Sequence, residues 1–325
     1  MLSRLRTLDY SIPPAANRLP YMLGGLTLVS LLLLIGTGII LDQYYSPTQL
    51  DAHNSVVYIM TRVPLGNWVR AIHHWAATTA FVSVALHLGL VFWRRSYRSP
   101  RAATWLTGVA LLLVVFGLIF SGSVLPTDQE AVEAMAHAVA GAKMSGPLGA
   151  VLTPDFTPST SLLSRMHSVH VSLLPLALLA IVSAHFLLIR AIGIHAEGAP
   201  TATFSQHLRK LSGAGLLLAA GIGALAALAP HGLGHPGVEG VEVTKPAWMF
   251  LWIYAVENTM GMVGMLVAPV VLFGFIAVVP WLDRNPAPGA PRPRWLVALA
   301  LVLLAAWVGG IIYGFVAPQQ QHLGM

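Results

Sequence analysis

Seven stretches of this chain are apolar over a length that crosses a lipid bilayer. They run roughly over 22–41, 68–93, 103–122, 168–192, 211–229, 261–282 and 295–316. About 20 apolar residues span the hydrocarbon core as a helix, and backbone in lipid must satisfy its own polar groups. The pattern predicts an all-α integral membrane protein with seven spans. Composition agrees: 9% of the residues are charged, where soluble domains carry roughly 25%. The fifth stretch is rich in Gly and Ala, which suits close contacts between membrane helices. Pro175 and Pro269 lie inside the fourth and sixth stretches and predict kinks there.

Charge assigns the two sides. The N-terminal segment, the second, fourth and sixth connections and the span ends beside them hold 13 of the 18 Lys and Arg residues. The remaining connections, 42–67, 123–167 and 230–260, hold 9 of the 12 Asp and Glu residues. The positive-inside rule then places the N-terminus in the cytoplasm and the C-terminus on the periplasmic side of a bacterial plasma membrane. The net charge of +6 is thereby accounted for as topology signal, and no nucleic-acid partner is expected. The first 20 residues carry Arg4, Arg6 and Arg18 and no apolar core, so no cleavable signal peptide is expected. The acidic outer connections exceed simple turns, and loops of such length carry short helices or function. The chain has no cysteine, which excludes disulfides, iron–sulfur clusters and thiolate zinc sites of its own.

Two spans carry paired histidines. The second contains His73 and His87, 14 residues apart, and the fourth His170 and His185, 15 apart. Four helical turns take about 14.4 residues, so each pair shares one helix face and is separated by about 21–22 Å. Ionisable residues inside spans are costly and usually functional. The registers predict two bis-histidine sites, His73/His170 near the outer face and His87/His185 near the inner face. A haem iron held by two imidazoles has no open position, which suits electron transfer rather than oxygen chemistry.

The glycines follow the same repeat. Gly24 and Gly38 in the first span, and Gly108 and Gly122 in the third, are each 14 apart. Missing side chains at that interval predict room for two flat macrocycles. Arg70 and Arg165 at the outer end, with Arg101 and Arg190 at the inner end, are candidate partners for haem propionates. His74 has no partner at 14 residues, and His53, His137, His167, His231, His235 and His322 are not expected to be axial ligands.

With these residues in place the chain resembles cytochrome b of bc-type complexes, most nearly the short plastid-type form. The resemblance rests on R-A-I-H-H-W at 70–75 with His87, P-R-A-A-T-W-L-T-G at 100–108 and G-S-V-L-P-T-D-Q at 122–129. It continues in R-M-H-S-V-H-V-S-L-L-P at 165–175 and H-F-L-L-I-R-A-I-G at 185–193. It implies a four-helix di-haem bundle over 1–199. Residues 200–325 resemble a fused subunit IV with three further spans, through K-P-A-W-M-F at 245–250. Two haem b groups and a quinone are the implied cofactors. Met22 stands where the plastid-type form has the cysteine for an extra covalent haem, so none is expected. The family's outer quinol motif reads Pro-Glu-Trp-Tyr, whereas this chain has Pro246-Ala247-Trp248-Met249, and alanine cannot accept a proton. Thr127 replaces a usual tryptophan, and Glu242, Asp128 and Glu257 are candidate substitutes for the lost carboxylate.

Three functions are open at this point. In the first, two b haems link the quinone pool to an outer-face redox subunit of another kind, with Arg190, His207 and Trp248 as quinone contacts. The alternative is the family's own role, a quinol:cytochrome c oxidoreductase core with a Rieske iron–sulfur partner. The sequence leans slightly to the first because of Ala247. A transporter or membrane anchor is the third, and the halves show no inverted repeat. The resemblance further implies a homodimer in contact with lipid.

Overall fold

The computed structural model describes residues 9–283 and 292–323; Arg4 and Arg6 lie outside them. Nine α-helices occur among the described residues: α1 Leu19–Asp42, α2 Ala52–Thr61, α3 Gly66–Trp93, α4 Ala102–Ser123, α5 Gln129–Met144, α6 Leu162–Ile192, α7 Phe204–Leu228, α8 Leu251–Leu282 and α9 Arg294–Val316. Seven of them, all but α2 and α5, are long and apolar enough to cross a membrane. Their outward residues are apolar too. Leu216, Leu217, Val270 and Phe315 leave most of their surface uncovered, which is costly in water and natural in lipid.

The seven expected spans are present, with two informative differences. Helix α7 starts at Phe204 rather than near 211, because Thr203 and Gln206 form a reciprocal capping box at its N-terminus. His207 therefore sits on a helix and is buried. Helix α8 begins ten residues before the expected sixth span, and the break falls at Gly261 (φ 67°, ψ −169°) rather than at Pro269. That conformation is open to glycine and strained for any side chain. In α6 the irregularity is a π turn over Val169–Leu173, immediately before Pro175. Proline offers no N–H to the preceding turn, and π turns collect at such points.

The π turn also explains the unequal histidine spacing. Fourteen α-helical residues stop about 40° short of four turns, and fifteen run about 60° past them. A π turn takes up one extra residue, about 100° of rotation. The 15-residue interval in α6 thus matches the 14-residue interval in α3.

The chain forms two compact units. The first holds 9–45, Ser55–Ile119 and Val171–Gly232; the second holds Ser46–Asn54, Phe120–His170, 233–283 and 292–323. In the first unit α1 packs along α3, and α7 packs on both. So α7, which follows the expected division at 199/200, joins the helices that precede it. The buried residues of α3 are mostly small, Ala71, Ala76, Ala80 and Ser83 beside Ile72 and Phe81, which lets helix backbones approach where lipid removes the hydrophobic drive. A short antiparallel pair, β1 Ser11–Ile12 with β2 Ala202–Thr203, ties the N-terminal segment to the start of α7.

Leu31, Ala80, Val115 and Leu178 form one buried apolar cluster in this unit. Each lies at or beside the midpoint of a repeat: Gly24–Gly38, His73–His87, Gly108–Gly122 and His170–His185. An apolar waist thus divides the helices between the two levels of the repeat.

In the second unit α8 packs along α9. Two of the long connections carry helices, α2 and α5, as loops of that length do. The third has no helix up to the turn Trp248–Phe250. Glu133 of α5 organises it. Its buried carboxylate accepts from Val243 N (2.8 Å), Thr244 N (2.9 Å), Thr244 Oγ1 (2.8 Å) and Gln129 Nε2 (2.9 Å).

Candidate functional site

Each of the four span histidines rests on one of the four repeat glycines. A Cβ placed on Gly24 would lie 3.1 Å from His87 Cε1, and one on Gly38 would lie 3.3 Å from His73 Cε1. On Gly108 it would lie 3.4 Å from His185 Cε1, and on Gly122 2.7 Å from His170 Cε1. The rings of α3 thus lie on the backbone of α1, and those of α6 on α4. The glycines make room for the imidazoles themselves, a tighter reason for the repeat than space for a macrocycle alone.

Three of the imidazoles are held by a hydroxyl at Nδ1. Thr37 Oγ1 is 2.9 Å from His73 Nδ1, Thr107 Oγ1 is 2.9 Å from His185 Nδ1, and Ser121 Oγ is 3.1 Å from His170 Nδ1. In each case the hydroxyl residue immediately precedes the glycine under that ring. Thr37 and Thr107 spend their own hydrogens on the Leu33 and Thr104 carbonyls. Their lone pairs therefore accept the Nδ1–H, which leaves Nε2 as the bare metal donor. His87 differs, since Leu23 precedes Gly24 and His87 Nδ1 is buried without a hydrogen bond. Neutral imidazoles with oriented Nε2 atoms fit the axial ligation of a haem iron.

The arginines hold loops. Arg70 donates to the carbonyls of His231 (2.7 Å) and Gly232 (3.1 Å). Arg165 donates to the Val151 and Thr153 carbonyls, and its buried Nε makes no hydrogen bond. Arg101 donates to the Gly193 carbonyl (2.7 Å) at the end of α6, and Arg190 lies in the last turn of that helix. A guanidinium carries five N–H donors, so a loop carbonyl and an anion are compatible partners. His74 stacks on His231 with ring centroids 3.6 Å apart. His207 stacks against Phe204 at the start of α7. Trp248 is half-buried and opens the turn before α8.

The candidates for the missing carboxylate separate by their partners. Asp128 caps α5, accepting from Ala131 N, and also accepts from Gly234 N. Glu242 accepts from the backbone of His322 and Leu323. Glu257 is buried, beside His137. A residue that the sequence reading missed, Glu130, reaches the position concerned: its carboxylate accepts a hydrogen bond from the backbone of Ala247. Burial pushes the Glu130 carboxyl up to about 7, and the Asp128 and Glu133 carboxylates add to that. Glu130 lies 117 positions from Ala247, and no local motif joins them.

Comparison with known proteins bears on the whole constellation. The family model described as Cytochrome b/b6/petB matches residues 7–193. The cytochrome b6 of Heliobacterium mobile is 36% identical over 193 residues, covering 57% of this chain and 89% of that protein. The menaquinol:cytochrome c reductase cytochrome b subunit of Geobacillus thermodenitrificans is 35% identical over 201 residues, covering 57% and 88%. The cytochrome bc complex cytochrome b subunit of Chlorobaculum thiosulfatiphilum is 30% identical over 322 residues, covering 90% of this chain and 73% of that protein. A chain of a hyperthermophilic respiratory Complex III has the same fold, with a TM-score of 0.80, 24% identity, and coverage of 99% of this chain and 90% of that one.

Proposed function

The chain belongs to the cytochrome b/b6 family, and from that premise we propose that it is the electron-transferring membrane subunit of a bc-type quinol:cytochrome c oxidoreductase complex. His73, His87, His170 and His185 would hold the irons of two b haems, paired as His73/His170 and His87/His185 by their helical registers. The observation that carries this reading is the repeated unit of hydroxyl, glycine and imidazole. When bound, the haems supply one-electron redox centres. The hydroxyls at His73, His170 and His185 Nδ1 would leave each Nε2 free for a haem iron, and the apolar waist would lie between the two levels. Arg70, Arg101, Arg165 and Arg190 offer cations to the propionates.

Names of relatives such as cytochrome bc complex subunit and menaquinol:cytochrome c reductase subunit favour a Rieske-type outer partner over the unrelated redox subunit toward which Ala247 inclined the sequence reading. The first 199 residues are the di-haem part and 200–325 the subunit IV-like part. The N-terminus is cytoplasmic, the membrane is a bacterial plasma membrane, and the complex is a lipid-embedded homodimer. Quinone meets the protein at Arg190 and His207 on the inner side and at Trp248 on the outer side. At the outer site Glu130, hydrogen-bonded to the backbone of Ala247, takes the quinol proton that the family's glutamate would take.

A pyridine haemochrome assay on the detergent-purified protein tests the core of this reading. Two b haems per chain are expected, and His73→Ala or His185→Ala should each leave about one. Purified wild-type protein without b haem would overturn it. Mass spectrometry of the native complex should find a Rieske subunit, and a different redox enzyme in its place would restore the other outer partner.

A further inference from the structure

We propose that His137, Glu257 and His322 form a binding site for a divalent transition-metal ion of the zinc class, separate from the haem ligands. The three come from α5, α8 and the tail after α9, and one donor atom from each lies within 4.8 Å of the others. His137 Nε2 stands 3.6 Å from Glu257 Oε1. Histidine and carboxylate are the oxygen and nitrogen donors that zinc takes.

The hydrogen bonding points to a ligand. His137 Nε2, Glu257 Oε1 and His322 Nε2 are all buried and make no hydrogen bond. Glu257 is 4% exposed, and a buried carboxylate without a partner is costly. Both rings are oriented from behind. His137 Nδ1 donates to the Glu133 carbonyl at 2.8 Å, and His322 Nδ1 donates to Glu242 Oε1 at 3.2 Å. This is the outer-shell arrangement of metal-bound histidine, with the far nitrogen fixed as donor and the near one bare. Glu242 Oε1 also lies 3.2 Å from His137 Nε2.

Geometry and location agree. Tetrahedral bonds of about 2.0–2.1 Å put donor atoms about 3.4 Å apart, so the 3.6 Å pair needs little movement. Glu242 is within reach of the fourth position. The ion would join α5, α8 and the chain end, which already meet through Tyr254 Oη accepting from Gln320 N (2.9 Å). Its role is to pin the tail to the second unit.

The test uses the haem-loaded protein in detergent, stripped with chelator, reloaded with zinc sulfate and desalted. Elemental analysis should find one zinc per chain, and zinc-edge absorption should show nitrogen and oxygen neighbours including two imidazoles. Glu257→Gln and His322→Ala should each weaken zinc binding by roughly tenfold or more, with an unchanged haem spectrum reporting an intact fold. His195→Ala, whose ring Nδ1 pairs with Ser96, should bind as wild type does. Wild-type protein that retains no zinc, or zinc binding that Glu257→Gln and His322→Ala both leave unaltered, would overturn the proposal and leave a cluster that shares protons.

Discussion

At the scale of single residues, the glycine contacts form a graded series. An added methyl meets the opposed ring most tightly at Gly122, then at Gly24, Gly38 and Gly108. A methyl cannot displace an imidazole without moving its Nε2. Substitution by alanine should therefore cost haem occupancy in that order, measured as b haem per chain. Gly36→Ala and Gly89→Ala, at positions facing open space, should cost none. Equal occupancy in Gly122→Ala and Gly36→Ala would remove the glycines from the ligand argument. The hydroxyls belong to the same scale. Threonine or serine immediately before the repeat glycine is legible in the sequence at 37, 107 and 121, but only the contact with Nδ1 gives that hydroxyl a function.

At the scale of elements, hydropathy located all seven spans and set the starts of α6, α7 and α8 late, at 168, 211 and 261 against Leu162, Phe204 and Leu251. The capping signal Thr203-x-x-Gln206 is local and readable, but it lies in a polar stretch that a hydropathy window passes over. The break at Gly261 was hidden because glycine breaks a helix only where packing demands the unusual dihedral, while Pro269 sits in continuous helix. Glu133 holds the connection before α8 to α5 through charge-assisted hydrogen bonds, each worth about 1.5–3 kcal/mol. Glu133→Gln keeps the shape but loses the charge and should destabilise the protein by about 2 kcal/mol or more. The loss should appear in thermal unfolding and as faster proteolysis within 233–247. An unchanged profile would mean that the connection is held by other contacts.

At the scale of the whole molecule, the proposed role of Glu130 requires that it take a proton when quinol gives up its electrons. The Glu130 carboxyl is raised from 4.5 to about 7 by burial and by its Asp128 and Glu133 neighbours. Its proton-accepting form therefore grows as pH rises through about 7. Haem reduction by quinol should accelerate from pH 6 to 8 in the wild type, and Glu130→Gln should be slow with no such rise. A normal pH profile in Glu130→Gln would exclude the residue as proton acceptor. The stability linkage has the opposite sign. The folded carboxyl keeps its proton where the unfolded one has lost it, so this group's contribution falls as pH rises from about 4.5 to 7 and is then constant. Midpoints of unfolding at pH 5 and pH 7 should be closer in Glu130→Gln than in the wild type.

The sequence alone determined the membrane class, the seven spans and the four histidines on their repeat, since hydropathy and helical period are properties of contiguous residues, and its motifs carried the family resemblance. The absence of the usual glutamate at 247 was also plain from one position. Only the tertiary structure decided that Glu130 stands beside Ala247 and that Asp128 accepts from Gly234 N. It also decided that α7 packs with α1 and α3, and that His137, Glu257 and His322 converge. Those relations join residues far apart along the chain, and they arise where a loop or tail folds back onto a helix. No local period marks such a return, because it is set by which buried donors and acceptors find one another in the folded chain.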